Sequence, residues 1–225
     1  MDLGYDFDWD VILRMAPRLL PAAWLTIKLF VLAQALSLLI SVCLAVLDNL
    51  ARGHRAARLL GVYSWLFRGL PELVVLLFCF LGLPELGLRL SPLSSAVIGL
   101  ALIASAYEYE VLRGAFLAVP EQQYEAARAL GFSKPAMYRR VILPQVFRVA
   151  IPPILTFSCT SLKRTSVASA VAVVEIMGMS KRLIDVLQKP FEIMLIGMAF
   201  YIVLSSVLMT LEHLARRNMA AASAR

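Results

Sequence analysis

The chain has 225 residues, 60% of them hydrophobic, with a mean hydropathy of +0.78 and only 16% charged. A soluble domain carries about 25% charged residues, so the composition excludes that class and leaves a membrane protein. The net charge of +7 does not indicate nucleic acid, because the basic residues are not gathered into one patch with aromatics.

Residues 1–18 are polar, with Tyr5, Phe7 and Trp9 set among Asp2, Asp6, Asp8 and Asp10. They are expected to lie at a membrane interface, with the rings at headgroup level. The acids, and the lack of a basic run, argue against a secretory signal peptide. Five apolar stretches follow, at about 19–47, 59–83, 92–119, 145–174 and 192–214. Each has the roughly 20 residues needed to cross a bilayer. The first exceeds that length, so tilt or an interfacial end is expected. The second is interrupted by Arg68-Gly69-Leu70-Pro71-Glu72. The fold class is therefore an all-α membrane protein of five transmembrane helices, with a polar internal loop at 120–144 and a tail at 215–225. No internal repeat is evident. Cys43, Cys79 and Cys159 all lie inside apolar stretches without CxxC spacing, so neither disulfides nor a metal site is expected.

Five spans put the termini on opposite sides, and the basic residues set the orientation. Positions 52, 55, 58, 128, 134, 139, 140, 148, 216, 217 and 225 make eleven Lys/Arg on one side. Positions 14, 18, 89, 181, 182 and 189 make six on the other. The side richer in Lys/Arg is cytoplasmic. The N-terminus is expected outside, and the 120–144 loop and C-terminus inside.

That loop is the most polar internal run. Pro120 suits the first turn of a helix, Tyr124 to Leu130 are good helix formers, and Gly131 supplies a helix end. Ser133 is placed to cap a second short helix, with Pro135 in its first turn and Pro144 limiting it. The expected form is helix, glycine hinge, helix. Glu121, Glu125 and Arg128 share a polar face, and Ala126 and Ala129 are small contact points.

Glu125-Ala126-Ala127, Gly131 four residues beyond Ala127 and Leu143-Pro144 together resemble the EAA loop of permease subunits of bacterial ATP-binding-cassette (ABC) importers. Val141 stands where that pattern has Ile. The resemblance extends over nearly everything after residue 18. Phe67-Arg68-Gly69-x-Pro71, Glu110-Val111-Leu112-Arg113-Gly114-Ala115 and Leu162-Lys163-x-Thr165-Ser166 resemble motifs of the polar amino-acid permease family, which imports histidine, glutamine, arginine and opines. The resemblance implies a type I importer permease in a bacterial inner membrane. It implies a second permease subunit, identical or related, ATP-binding subunits beneath, and an extracytoplasmic solute-binding protein. It further implies that ATP is bound by the partner rather than by this chain, that no bond chemistry occurs here, and that the cargo is a polar amino acid or small zwitterion. Glu125, Ala126, Ala127, Gly131, Leu143 and Pro144 take the role of coupling to the ATPase.

The chain departs from the family pattern at Glu72, Glu108 and Arg164. Ionisable groups in spans face a bundle interior or pair with one another. Counted along continuous helix, Glu72 lies about 20 Å into the second span and Arg164 about 27 Å into the fourth. Two readings follow for these three residues. In one, Arg164 meets the cargo carboxylate and Glu72 or Glu108 its ammonium. In the other, Arg164 pairs permanently with one of the two carboxylates. Local spacing offers further pairs, Arg68 with Glu72 at i, i+4 and Glu110 with Arg113 at i, i+3. A secondary transporter or channel is the competing class, but five spans without an inverted repeat suit it poorly. A membrane-embedded enzyme lacks any HExxH or paired-carboxylate motif.

Overall fold

The computed structural model describes residues 7–50 and 55–223. The expectations for Asp2, Tyr5, Asp6, Arg52 and Arg225 fall outside them. Among the described residues the chain is helical with no strand. Its α-helices are α1 (Trp9–Met15), α2 (Leu20–Leu50), α3 (Arg55–Gly69), α4 (Glu72–Leu77), α5 (Leu83–Glu85) and α6 (Pro92–Leu117), then α7 (Glu121–Ala129), α8 (Lys134–Met137), α9 (Leu143–Arg164), α10 (Ile176–Leu187) and α11 (Pro190–Ser223). Short 3-10 turns join α1 to α2 and extend α9 through Thr165–Val171. Five-residue π segments separate α4 from α5 and α8 from α9.

Among the described residues, four helical runs are long and apolar enough to cross a membrane: Trp9–Leu50, Pro92–Leu117, Lys134–Val171 and Pro190–Arg217. The pair Arg58–Gly69 and Glu72–Glu85, bent by 103°, makes a fifth if the two helices together count as one span. The break falls at Leu70-Pro71, because a proline ring disfavours helical backbone in the residue before it. It corrects two expectations. Glu72 opens a new helix, so its depth does not follow from counting along α3. Arg68 and Glu72 do not share a helix face, so no i, i+4 pair forms. By contrast, α9 continues through Pro152-Pro153 to Arg164.

The chain divides into two compact units, with boundaries inside α2, α6, α9 and α11. The first unit holds the chain up to Ala33, Glu72–Leu100 and Thr160–Met209. One part of its core gathers Leu29, Ala33, Leu76, Ala96, Leu100, Ala168 and Val171. Here α4 and α6 approach closely: a Cβ on Gly99 would stand 2.9 Å from Leu76 Cδ1 and 3.3 Å from Leu76 Cα. Another part gathers Met15, Leu19, Ala23, Ile176, Leu183, Ile193 and Ile196. Asp8 caps α1 by accepting from the Asp10 and Val11 amides. Glu175 caps α10 in the same way, accepting from Met177 N at 3.0 Å and Gly178 N at 2.9 Å. The Tyr201 hydroxyl donates to the same Glu175 carboxylate at 2.6 Å. Burial pushes the Glu175 carboxyl up from its ordinary value, against these hydrogen bonds and the Lys181 charge, which pull it down.

The second unit holds Gln34–Pro71, Ala101–Cys159 and the chain from Thr210. Its core joins Ala45, Tyr109, Leu112, Phe116 and Val119 to Tyr124, Ala127, Met137, Ile142 and Val146. The polar loop is therefore pinned to the helices by its own buried side chains.

Candidate functional site

The helix and glycine turn form as expected, with departures at Pro120 and beyond Gly131. Pro120 takes the N-cap position of α7 rather than its first turn, with φ −59° and ψ 141°. α7 ends in a Schellman motif: Phe132 N–H donates to Ala127 O at 3.1 Å and Gly131 N–H to Arg128 O at 3.0 Å. That geometry needs a left-handed residue, and Gly131 has φ +75°. Ser133 occupies the N-cap of α8, but its side chain makes no capping bond. Pro144 does not limit the second helix. The π segment Tyr138–Ile142 shifts the hydrogen-bond register, Leu143 N–H reaching Tyr138 O, and Pro144 sits within the start of α9. A proline has no N–H to give to the preceding turn. The adjoining Gln145 side chain donates to Val141 O at 2.9 Å, satisfying one carbonyl of the altered turn.

The two faces of α7 separate by burial. Tyr124 and Ala127 are buried, at 6% and 2% exposure. Glu125, Ala126, Arg128, Ala129 and Leu130 are exposed, and Leu130 presents 77% of its surface. Thus Ala127, the third residue of the Glu-Ala-Ala triplet, is a packing residue. Ala126, Ala129 and Leu130 form a low apolar platform beside Glu125. Arg128 donates to Glu121 Oε1 at 3.0 Å and to Tyr124 O at 3.2 Å, which braces the polar face along the helix. Leu143 is half-buried and Pro144 exposed.

The charged residues of the spans sort into separate groups. In the first unit Arg164 forms an ion pair with Glu72, each side chain one-fifth exposed. Glu72 is the first residue of α4 and Arg164 the last of α9, so a carboxylate at a helix start meets a cation at a helix end. In the second unit Glu108 is fully buried. Gln34 Nε2 donates to its Oε1 at 2.5 Å and Ser41 Oγ to its Oε2 at 3.3 Å. Glu110 pairs with Arg113 through Nε at 3.0 Å and Nη2 at 2.8 Å, and accepts from Ser64 Oγ at 2.7 Å. Arg68 Nη1 approaches Glu110 Oε1 at 3.6 Å.

One clamp had no signal in the sequence beyond its spacing. Arg216, near the end of α11, donates Nε to Glu212 at 2.9 Å and Nη2 to Pro152 O at 2.6 Å. Thr156 Oγ1 and Cys159 Sγ of α9 donate to the same Glu212 carboxylate at 2.9 and 3.1 Å. An Arg-Glu pair at i, i+4 was legible; its grip on α9 was not.

Residues 37–220 match the family model described as binding-protein-dependent transport system inner membrane component. The chain is 31% identical over 218 residues to the nopaline transport system permease protein of Agrobacterium fabrum, covering 92% of this chain and 90% of that one. It is 36% identical over 180 residues to the L-cystine transport system permease protein of Bacillus subtilis, covering 78% and 75%. It is 31% identical over 208 residues to an arginine ABC transporter permease protein of Escherichia coli, covering 82% and 87%. A crystal structure of an amino acid ABC transporter with histidines superposes with a TM-score of 0.86 at 26% identity, covering 95% of this chain and 100% of that one. The fold also matches the inward-facing MetNI methionine ABC transporter, with a TM-score of 0.79 at 17% identity.

Proposed function

The chain belongs to the family of binding-protein-dependent transport system inner membrane components, and from that premise we propose how this translocation subunit of an ABC importer works. It sits in the cytoplasmic membrane of a bacterium with its N-terminus outside and the 120–144 loop inside. A second permease subunit completes the pathway, a solute-binding protein delivers cargo from outside, and separate ATP-binding subunits hydrolyse ATP. This chain holds no nucleotide or other cofactor of its own. The cargo is a polar amino acid or a similar small zwitterion. The names of the relatives, which include nopaline, L-cystine and arginine permeases, support that class.

The observation that carries the coupling role is the division of α7 into two faces. Tyr124 and Ala127 lock the helix into the core of its unit, while Glu125, Ala126, Ala129 and Leu130 stand outward. Movement imposed on the outward face is passed to the helices only if the inward face does not yield. Small side chains let a partner groove approach closely, and Glu125 fixes orientation by charge. Gly131 allows the chain to turn back, and Leu143-Pro144 continue it into α9. The loop is thus a rigid element on which a nucleotide-driven change acts.

The test is reconstitution with the ATP-binding subunits and binding protein in proteoliposomes. Ala126→Arg and Glu125→Lys are expected to abolish ATP-dependent uptake while the chain still inserts and folds. Uptake at the wild-type rate in both variants would remove the loop from the coupling path.

A further inference from the structure

In the bent span, Arg68 approaches a carboxylate that other described groups already engage. It lies in the last turn of α3, just before the break, and 45% of its side chain is exposed. At 3.6 Å from Glu110 it is too far for a direct hydrogen bond. Both Glu110 oxygens are occupied, one by Ser64 and the other by two nitrogens of Arg113. Arg113 thus holds the two short bonds to Glu110, while Arg68 has the longer approach. Arg68 lies over the Tyr107 ring, 5.6 Å from its centroid. Tyr107 in turn stacks with Phe157, with centroids 5.5 Å apart and planes 25° apart. Aromatic faces hold a guanidinium flat without using its N–H donors.

Other charges of the spans suit the role less: Lys163, exposed in the last turn of α9, carries an ammonium without a planar fork. Arg164 is paired with Glu72. Glu108 is sealed, at 0% exposure. Lys28 stands on an exposed face of α2 between apolar Trp24 and Val31. A partly exposed guanidinium within a span, with its fork uncommitted, is placed for an oxyanion.

We propose that Arg68 receives the carboxylate of the cargo, with Tyr107 and Phe157 as the wall that holds its guanidinium in plane. This rests on the reading that the cargo is an amino acid or similar carboxylate. Arg68 exchanges its distant approach to Glu110 for two parallel N–H donations to the incoming carboxylate. A lysine lacks that planar fork and replaces it poorly.

The experiment begins with wild-type complex in proteoliposomes and uptake of radiolabelled L-arginine, L-cystine and nopaline. If none is carried, the cargo reading fails, and this proposal with it. If any is carried, its binding and that of its decarboxylated amine are measured on the detergent-solubilised permease–ATPase complex without the binding protein. Arg68→Gln is expected to weaken acid binding about tenfold or more, as loss of one charge-assisted pair does. Binding of the amine is expected to stay within about twofold of wild type. Equal acid binding in wild type and Arg68→Gln would overturn the proposal. So would an equal loss for acid and amine, which would assign Arg68 to the fold or to a lipid headgroup. If Arg68→Gln does not assemble, Arg68→Lys keeps the charge but not the planar fork, and a fall in its acid-to-amine binding ratio is expected, an unchanged ratio overturning the proposal.

Discussion

Removing the Arg164 guanidinium leaves Glu72 as a partly buried carboxylate beside a proline break. Loss of one partner of a fully buried pair costs about 3–5 kcal/mol; with each side chain one-fifth exposed, about 2 kcal/mol is expected. Arg164→Gln should therefore melt earlier in detergent, and adding Glu72→Gln should recover most of the loss. A double variant no more stable than the single would show that the two do not depend on each other. Gly131 gives a second residue-scale case. A Cβ there would meet nothing within 4 Å, so only its backbone, at φ +75°, resists substitution. The left-handed conformation costs other residues about 1–2 kcal/mol, and Asn tolerates it best. Transport is expected to fall in the order Gly131→Asn, Gly131→Ala, Gly131→Val, with Asn mildest. Three equal rates would mean that the turn is not held in the working complex.

At the scale of elements, the loop carries an amphipathic helix with one face buried and the other exposed. Ala127 is packed against the core of its unit, so Ala127→Leu should overpack it and cost about 1–3 kcal/mol. Ala126 is exposed, and Ala126→Leu should leave stability unchanged within about 0.5 kcal/mol yet impair cargo-stimulated ATP hydrolysis. Melting curves and ATPase assays on the same preparations separate the two. Equal melting temperatures for both variants would contradict the division of faces. The bent span and the α8–α9 junction follow a different rule, in which proline dictates local geometry. Leu70-Pro71 ends one helix, whereas Pro144 is absorbed by the π segment. Elsewhere α9 accepts Pro152-Pro153, with the Pro152 carbonyl taking the Arg216 guanidinium. The helical donor to that carbonyl is the Thr156 amide, so the Arg216 bond adds a tie between helices and does not replace one lost to proline.

For the whole molecule, the prediction concerns sidedness. From the excess of Lys/Arg in the loops, the 120–144 loop is expected inside. A single cysteine at Lys134, in a chain with Cys43, Cys79 and Cys159 replaced, should react with an impermeant maleimide only in inverted vesicles. Labelling in intact cells would reverse the topology and remove the loop from the side where ATP is.

The sequence by itself determined what depends on composition and on neighbours along the chain. Apolar content and span length required a membrane protein. Glu110 and Arg113 pair because i, i+3 residues share a helix face. Gly131 is left-handed because a Schellman end needs a residue without a Cβ penalty. Tertiary structure decided partners distant in sequence. Arg164 and Glu72 stood out as charges, but only packing of α4 against the end of α9 chose one for the other. Arg68 was placed with Glu72 by spacing and belongs with Glu110 in space, because Pro71 breaks the helix that the spacing assumed. Glu108 gave no hint of Gln34 and Ser41, which reach it from another helix. Ala126 and Ala127 are identical in sequence terms, and only the rotation of α7 against its core left one exposed and buried the other. Local sterics act within a few residues and can be read in order. The choice among equally possible long-range partners is made by how the helices pack, and that requires all of them at once.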